Sequence, residues 1–88
     1  MIEEISNKEA NITLAQQMEH LKNVLKKERE ARGWSQNKLA VVLNTSPNII
    51  SLMESEKQTH TPHLVTLVKM SKLFNMTICE MLGVNQPT

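Results

Sequence analysis

Residues 35–54 read Ser35-Gln36-Asn37-Lys38-Leu39-Ala40-Val41-Val42-Leu43-Asn44-Thr45-Ser46-Pro47-Asn48-Ile49-Ile50-Ser51-Leu52-Met53-Glu54. Leu39, Ala40 and Leu43 recur at the spacing of one helical face. Ser35 stands just ahead of them, where a hydroxyl can accept from a first-turn N–H that has no partner inside the helix. The spacing predicts a short helix from Gln36 to about Leu43. Asn44 follows, and asparagine tolerates the left-handed backbone that a tight turn between helices demands. Ser46-Pro47 then opens a second helix: serine caps it, and proline at the first helical position gives up only an N–H that would lack a partner anyway. That helix is expected to reach Glu54 or Ser55, burying Ile50 and Met53 and part of Ile49.

Helices this short are not stable alone, so the flanking sequence must supply a core. Upstream, Thr13 is a candidate cap for a helix carrying Leu14, Met18, Leu21 and Leu25 on one face, ending near Ala31 before Gly33. The part before about Glu19 exceeds what a first helix needs; it either docks on a partner subunit or frays in solvent. Downstream, residues 55–61 are polar and read as a loop. Thr61-Pro62 repeats the start signal, with Leu64, Leu67, Val68 and Ser71 as the inward stripe and Val65, Leu73 and Phe74 beside it. Asn75 ends that helix. Thr77 and Glu80 form a capping-box pattern for a last short helix, closed by Gly83, and Pro87 marks a tail. The expectation is an all-α, five-helix domain over 14–83, with a flexible arm over 1–13, or an extension of the first helix, and a short tail over 84–88.

At 88 residues the chain has room for one core. Its hydrophobic content is 40% but its aromatic content only 2%, which suits helices built on Leu, Ile, Val and Met. Cys79 is the only cysteine, which excludes an internal disulfide or a cysteine-based zinc site and fits a reducing, cytoplasmic setting. No apolar run is long enough to cross a bilayer, and the acidic first twenty residues do not read as a signal peptide. The net charge of +1 gives little pull toward a polyanion, but its distribution is uneven. Residues 1–20 balance to −3, residues 21–38 to +4 and the remainder to zero. The basic stretch is either a phosphate-facing edge or an ordinary solvated helix.

Ala40 is small enough to let the second short helix cross the first closely, leaving it to project where it can enter a major groove. Short crossed helices also occur in small proteins with other roles. Here the residues carry a resemblance. The tract Trp34-Ser35-Gln36-Asn37-Lys38-Leu39-Ala40, then Leu43-Asn44-Thr45-Ser46, Ile49-Ile50-Ser51 and Glu54, resembles the lambda-repressor-like helix-turn-helix family, in particular its Cro/C1 (xenobiotic-response-element) class. The likeness continues through Pro62, Leu64, Leu67, Lys72-Leu73-Phe74-Asn75, Thr77 and Met81-Leu82, covering about residues 21–82. It implies a lambda-repressor-like fold that binds double-stranded DNA as a homodimer on a palindromic operator, usually for repression. By that likeness Gln36 sits near a phosphate and the exposed face of the third helix, Pro47, Asn48 and Ser51 face the groove, and Glu54 braces the pair. Ala40 and Ile50 take structural places. The chain departs from the pattern at Glu56, where glycine is frequent, in a longer loop containing Thr59, His60 and Thr61, and in a reading helix with no Arg or Lys.

The residue chemistry can be read beside that likeness. Gln36 and Asn48 carry amides, which pair in a bidentate manner with adenine; Gln36 can equally meet a phosphate, and both can simply be solvated. Ser46 is foremost a cap, with helix N–H groups beside it for a phosphate, and Ser51 is a base-edge donor or a small residue permitting close approach. Lys38 and Lys57 flank the reading helix as phosphate contacts. Arg32 is a further phosphate candidate, and Arg29 is either another or the partner of a carboxylate such as Glu54. Lys22, Lys26 and Lys27 read as solvated, and Trp34 as a hydrophobic staple on the helix start.

No constellation supports an enzyme, a metal site or a cofactor: the three histidines are scattered and no glycine-rich phosphate loop is present. The alternative to a DNA-binding regulator is a protein-interaction module, such as an antirepressor or accessory subunit, that keeps the fold with weak or no DNA binding.

Overall fold

The computed structural model describes residues 6–55 and 61–84. Its helices are α1 (Asn7–Ala31), α2 (Gln36–Val42), α3 (Pro47–Met53), α4 (Leu64–Phe74) and α5 (Ile78–Leu82), with no strand among the described residues. Local capping chemistry sets most of the boundaries. Ser35 accepts from the Lys38 N–H at 3.0 Å, and Ser46 from the Ile49 N–H at 3.2 Å with Pro47 at the helix start. Thr77 and Glu80 form both halves of a capping box, at 3.0 and 3.1 Å. Asn44 and Asn75 both occupy the left-handed region, with φ of +53° and +55°, so each closes its helix as the reading expected.

The start of α1 differs from expectation. It begins at Asn7 rather than Leu14, because Ser6 and not Thr13 is the cap, accepting from the Glu9 N–H at 3.1 Å. Glu9 in the first turn also complements the positive end of the helix dipole, and nothing from Asn7 to Ala31 is a glycine or proline that would interrupt the helix. The result is a helix about 37 Å long at 1.5 Å per residue. Its inward face from Met18 onward, with Leu21 and Leu25, forms the floor of the core, while Ile12 and Leu14 further out are exposed.

On that floor sit Leu39, Ala40 and Leu43 of the α2 segment and Ile50 and Met53 of α3, all buried. Met70 and Phe74 of α4 and Met81 of α5 close it. Ala40 has no exposed surface, so α3 crosses it without a side chain in the way. The turn is tied by the Thr45 N–H on the Ala40 carbonyl at 2.9 Å.

Helix α4 corrects the reading in two ways. It starts at Leu64 with His63 as its cap, and Pro62 is buried ahead of it rather than inside its first turn. Its inward face is Thr66, Met70 and Phe74, with Leu67 and Leu73 half-buried, whereas Leu64 and Val65 are 72% and 61% exposed and Val68 is also exposed. Apolar residues lie nearly all round this helix, so periodicity alone does not choose a face. Lys69 helps to choose it: its ammonium donates to the Leu43 carbonyl at 3.1 Å, a cation at the negative end of α2.

Two further ties hold the ends of the domain. His20 of α1 donates from Nδ1 to the Met81 carbonyl at 3.0 Å. Gly83, at φ +71°, lies against that ring: a Cβ there would stand 2.7 Å from His20 Cγ. Lys22 is buried, contrary to the solvated position expected of it, and its Nζ lies 2.9 Å from Glu19 Oε1.

Candidate nucleic-acid interface

The seven residues of α3 divide cleanly by exposure. Ile50 and Met53 face the core, Ile49 and Leu52 are half-buried, and Pro47, Asn48 and Ser51 are exposed with the capping Ser46 beside them. The Ser46 hydroxyl oxygen is occupied by the Ile49 N–H, which leaves its O–H to donate outward. At the start of α2, Asn37 and Lys38 are exposed and Gln36 is half-buried. A hydrogen bond joins the start of α2 to the end of α3: Gln36 Nε2 donates to Glu54 Oε1 at 3.2 Å.

Glu54 is the centre of a wider network. Arg29 Nε donates to its Oε2 at 2.8 Å and Arg29 Nη2 to its Oε1 at 3.0 Å, a two-pronged contact. Arg29 Nη1 continues to the Trp34 carbonyl at 2.8 Å. The pairing weighed for Arg29 is therefore present, and it ties α1 to the end of α3. The two side chains are only 13% and 4% exposed. The hydrogen bond to Glu54 raises the Arg29 pKa above its ordinary value; burial opposes this, and the charges of Glu54 and Glu30 add to it. The guanidinium thus stays charged throughout the usable pH range.

Arg32 is engaged inside the chain. Its Nη1 donates to the Glu28 carbonyl and carboxylate, both at 2.9 Å, and its Nη2 to the Leu73 carbonyl at 3.4 Å. Its charged carbon stands 5.7 Å from the Trp34 ring centre and 5.1 Å from that of Phe74, within cation–π range. A guanidinium with these partners ties α1 to α4. Lys57, with Glu56, Thr59 and His60, lies outside the described residues.

The fold adds a feature of charge that residue-by-residue reading misses. Residues 35–53 and 61–79, which hold α2, α3 and α4, contain no Asp or Glu at all, and their charged residues are Lys38, Lys69 and Lys72. The acids are Glu3 and Glu4, four on α1, and Glu54, Glu56 and Glu80. Glu54, the carboxylate at the end of α3, is covered by Arg29. Counting charge along the chain averages Glu54, Glu56 and Glu80 into the same segment and hides this separation. Among the described residues no group of His, Cys, Asp or Glu could hold a metal ion, and no helix is long and apolar enough to cross a membrane.

A helix-turn-helix family model, of the Cro/C1-type, lambda-repressor-like class, matches residues 25–88. The chain belongs to this family of DNA-binding transcription regulators, which is not a family of enzymes. Among curated proteins and solved structures, none is significantly similar to the chain. The match begins at Leu25, so the stretch of α1 over residues 7–24 precedes it.

Proposed function

We propose that the chain is a sequence-specific repressor that binds a palindromic operator as a homodimer and reads it with α3 in the major groove. The observation that carries this reading is the exposure of Pro47, Asn48 and Ser51 on α3, in a stretch, residues 35–53, that contains no Asp or Glu. DNA repels carboxylates from its immediate neighbourhood and rewards lysines at phosphate distance, and this is the face that satisfies both conditions. Asn48 and Gln36 supply amides for base edges, with Pro47 and Ser51 packed against the groove. Lys38 and the Ser46 hydroxyl meet phosphates, and Lys57 is assigned the same role by its place in the sequence.

An uncharged reading helix means that sequence preference comes from amides and shape while affinity comes from the lysines around it. Two half-sites would then be needed for a tight complex, which favours a dimer. The exposed Leu64, Val65 and Val68 of α4 supply apolar surface for a second copy, whereas Met81 of α5 is buried and Ile78 and Leu82 are half-buried. That same α4 patch, together with the absence of a cation on α3, is what favours the second reading, a protein-interaction module.

Selection of bound duplexes from a random pool separates the two. The proposal expects an enriched inverted repeat whose binding weakens steeply with salt. Asn48→Ala should relax preference at its own base pair, and Lys38→Ala should weaken all duplexes alike and lower the log–log salt slope by about 0.9. A pool with no enriched sequence refutes the DNA reading and leaves the protein-interaction module.

A further inference from the structure

We propose that the projecting half of α1 is a docking arm that receives α4 of a second copy, the contact being made twice about a two-fold axis. This rests on the homodimer proposed above and names the two surfaces that form it.

Among the described residues, nothing covers the outer part of α1. Ala10, Leu14 and Gln17 continue, at spacings of four and three, the stripe that Leu21 and Leu25 bury in the core, yet Ala10 and Leu14 are exposed. With Glu9 and Thr13 they wall a shallow hollow of about 610 Å³. The helix runs without glycine or proline to Ala31, so this half cannot fold back onto its own core. It also precedes the residues matched to the family, which begin at Leu25. The second uncovered surface is the ridge of Leu64, Val65 and Val68 on α4, with the exposed Lys72 one turn beyond Val68.

Charge decides which surfaces meet. Residues 1–20 balance to −3, whereas residues 61–79 contain lysines and no Asp or Glu. Pairing α1 with α1 would bring two acidic segments together, and pairing α4 with α4 would set Lys69 and Lys72 against the same lysines. Like charges brought together at a contact disfavour it, and the crossed pairing joins opposite signs. The two surfaces also match in length: residues 9–17 and 64–72 each run about 12 Å at 1.5 Å per residue. Laid antiparallel, Glu9 in the first turn of α1 meets Lys72 in the last turn of α4, so opposite ends of the two helix dipoles lie together as well. Val68 then falls against Ala10 and Thr13, and Leu64 and Val65 against Leu14 and Gln17. A specific dimer needs about 1,200–2,000 Å² of buried surface, and a reciprocal contact doubles what one ridge and one hollow supply. Pro47, Asn48 and Ser51 belong to neither surface, so this pairing does not occupy the residues assigned to the groove.

Sedimentation equilibrium of the 88-residue chain and its variants, with helical circular dichroism as the check on folding, tests the pairing. Wild type should dimerise. Leu14→Gln should raise the dimer Kd by roughly tenfold or more, since the side chain is lost from both contacts, and should leave the monomer's helical signal unchanged. Glu9→Lys and Lys72→Glu should each weaken the dimer by about fivefold, and Glu9→Lys/Lys72→Glu should return to within about twofold of wild type. Loss of folding does not mimic that rescue. A dimer indifferent to Leu14→Gln, or a double variant no tighter than the single ones, overturns the pairing while leaving the homodimer and the DNA reading intact. A wild type that is monomeric at every concentration, with and without its selected duplex, overturns the homodimer and this inference with it. A second measurement uses the unaltered protein: in dimers of one labelled and one unlabelled copy, nuclear Overhauser contacts between copies should join Leu14 to Leu64 or Val65. Contacts of Leu14 with its own copy alone, residues 85–88 included, overturn the proposal.

Discussion

Replacing Arg29 by methionine keeps the aliphatic bulk and removes the guanidinium. Glu54, whose side chain is 4% exposed, would lose both of its hydrogen bonds from the arginine and keep the Gln36 N–H. Breaking a buried pair by removing one partner costs about 3–5 kcal/mol, because the remaining charge is neither solvated nor paired. A domain of this length has a total stability of roughly 4–13 kcal/mol at the usual value per residue. Arg29→Met should therefore remove a large part of it and lower Tm by more than about 10 °C, since each kcal/mol corresponds to about 4–8 °C for a domain of this size. Chemical and thermal unfolding followed by helical circular dichroism would read the loss. Arg29→Met/Glu54→Met should be less destabilised than Arg29→Met alone, because it leaves no unpaired carboxylate. The sign of the pH effect follows from the raised Arg29 pKa. The arginine's contribution is fully present below its ordinary pKa and is lost only as pH rises through the higher folded value, so it should be constant from pH 6 to pH 9. A loss below about 1 kcal/mol for Arg29→Met, the range of an exposed ion pair, would refute the reasoning.

Gly83→Ala should destabilise more than Gly33→Ala in parallel melts: both glycines have positive φ, but only at Gly83 would the new Cβ meet a side chain, His20, at 2.7 Å. The left-handed backbone alone costs about 1–2 kcal/mol, and equal losses at the two sites would show that the His20 contact yields freely. Thr77→Ala removes the hydroxyl half of the capping box and should cost about 1 kcal/mol, read as a lower unfolding midpoint in urea. Ile50→Ala, at a site with no exposed surface, should cost about 2–5 kcal/mol. Val65→Ser, at a site 61% exposed on the surface assigned to the second copy, should leave the Tm of the dissociated monomer within about 2 °C, and a large drop in the monomer would contradict the orientation given to α4.

Much of this was legible in residues 35–54 because caps and turns are local. Ser35, Ser46, Pro47 and Asn44 each act on a backbone group a few residues away, and Leu39, Ala40 and Ile50 mark the buried faces by spacing. The face of α4 was not legible, since Leu64, Val65, Leu67 and Val68 surround it and a long-range bond from Lys69 to Leu43 helps to decide the rotation. Ser6 and Thr13 are both acceptable caps, so the local pattern does not choose the start of α1. Burial of Lys22 and the His20–Met81 contact depend on what packs across α1, which no local pattern records. Within the candidate site, the exposed Pro47, Asn48 and Ser51 follow from the helical phase of Ile50 and Met53. The joining of Arg29, Glu54 and Gln36 depends on a fold that brings residues 25 positions apart together.

The most direct test of the claim that α3 reads DNA is backbone amide shift mapping on the labelled full-length chain, titrated with duplex at low and then physiological salt. The account predicts that the largest changes fall on Ser46, Asn48 and Ser51 and on Gln36 to Lys38, while Ile12, Leu14 and the α5 segment are unmoved by contact with DNA. Changes confined to the exposed face of α4 around Leu64 and Val68, or no changes at all with duplex, would contradict it.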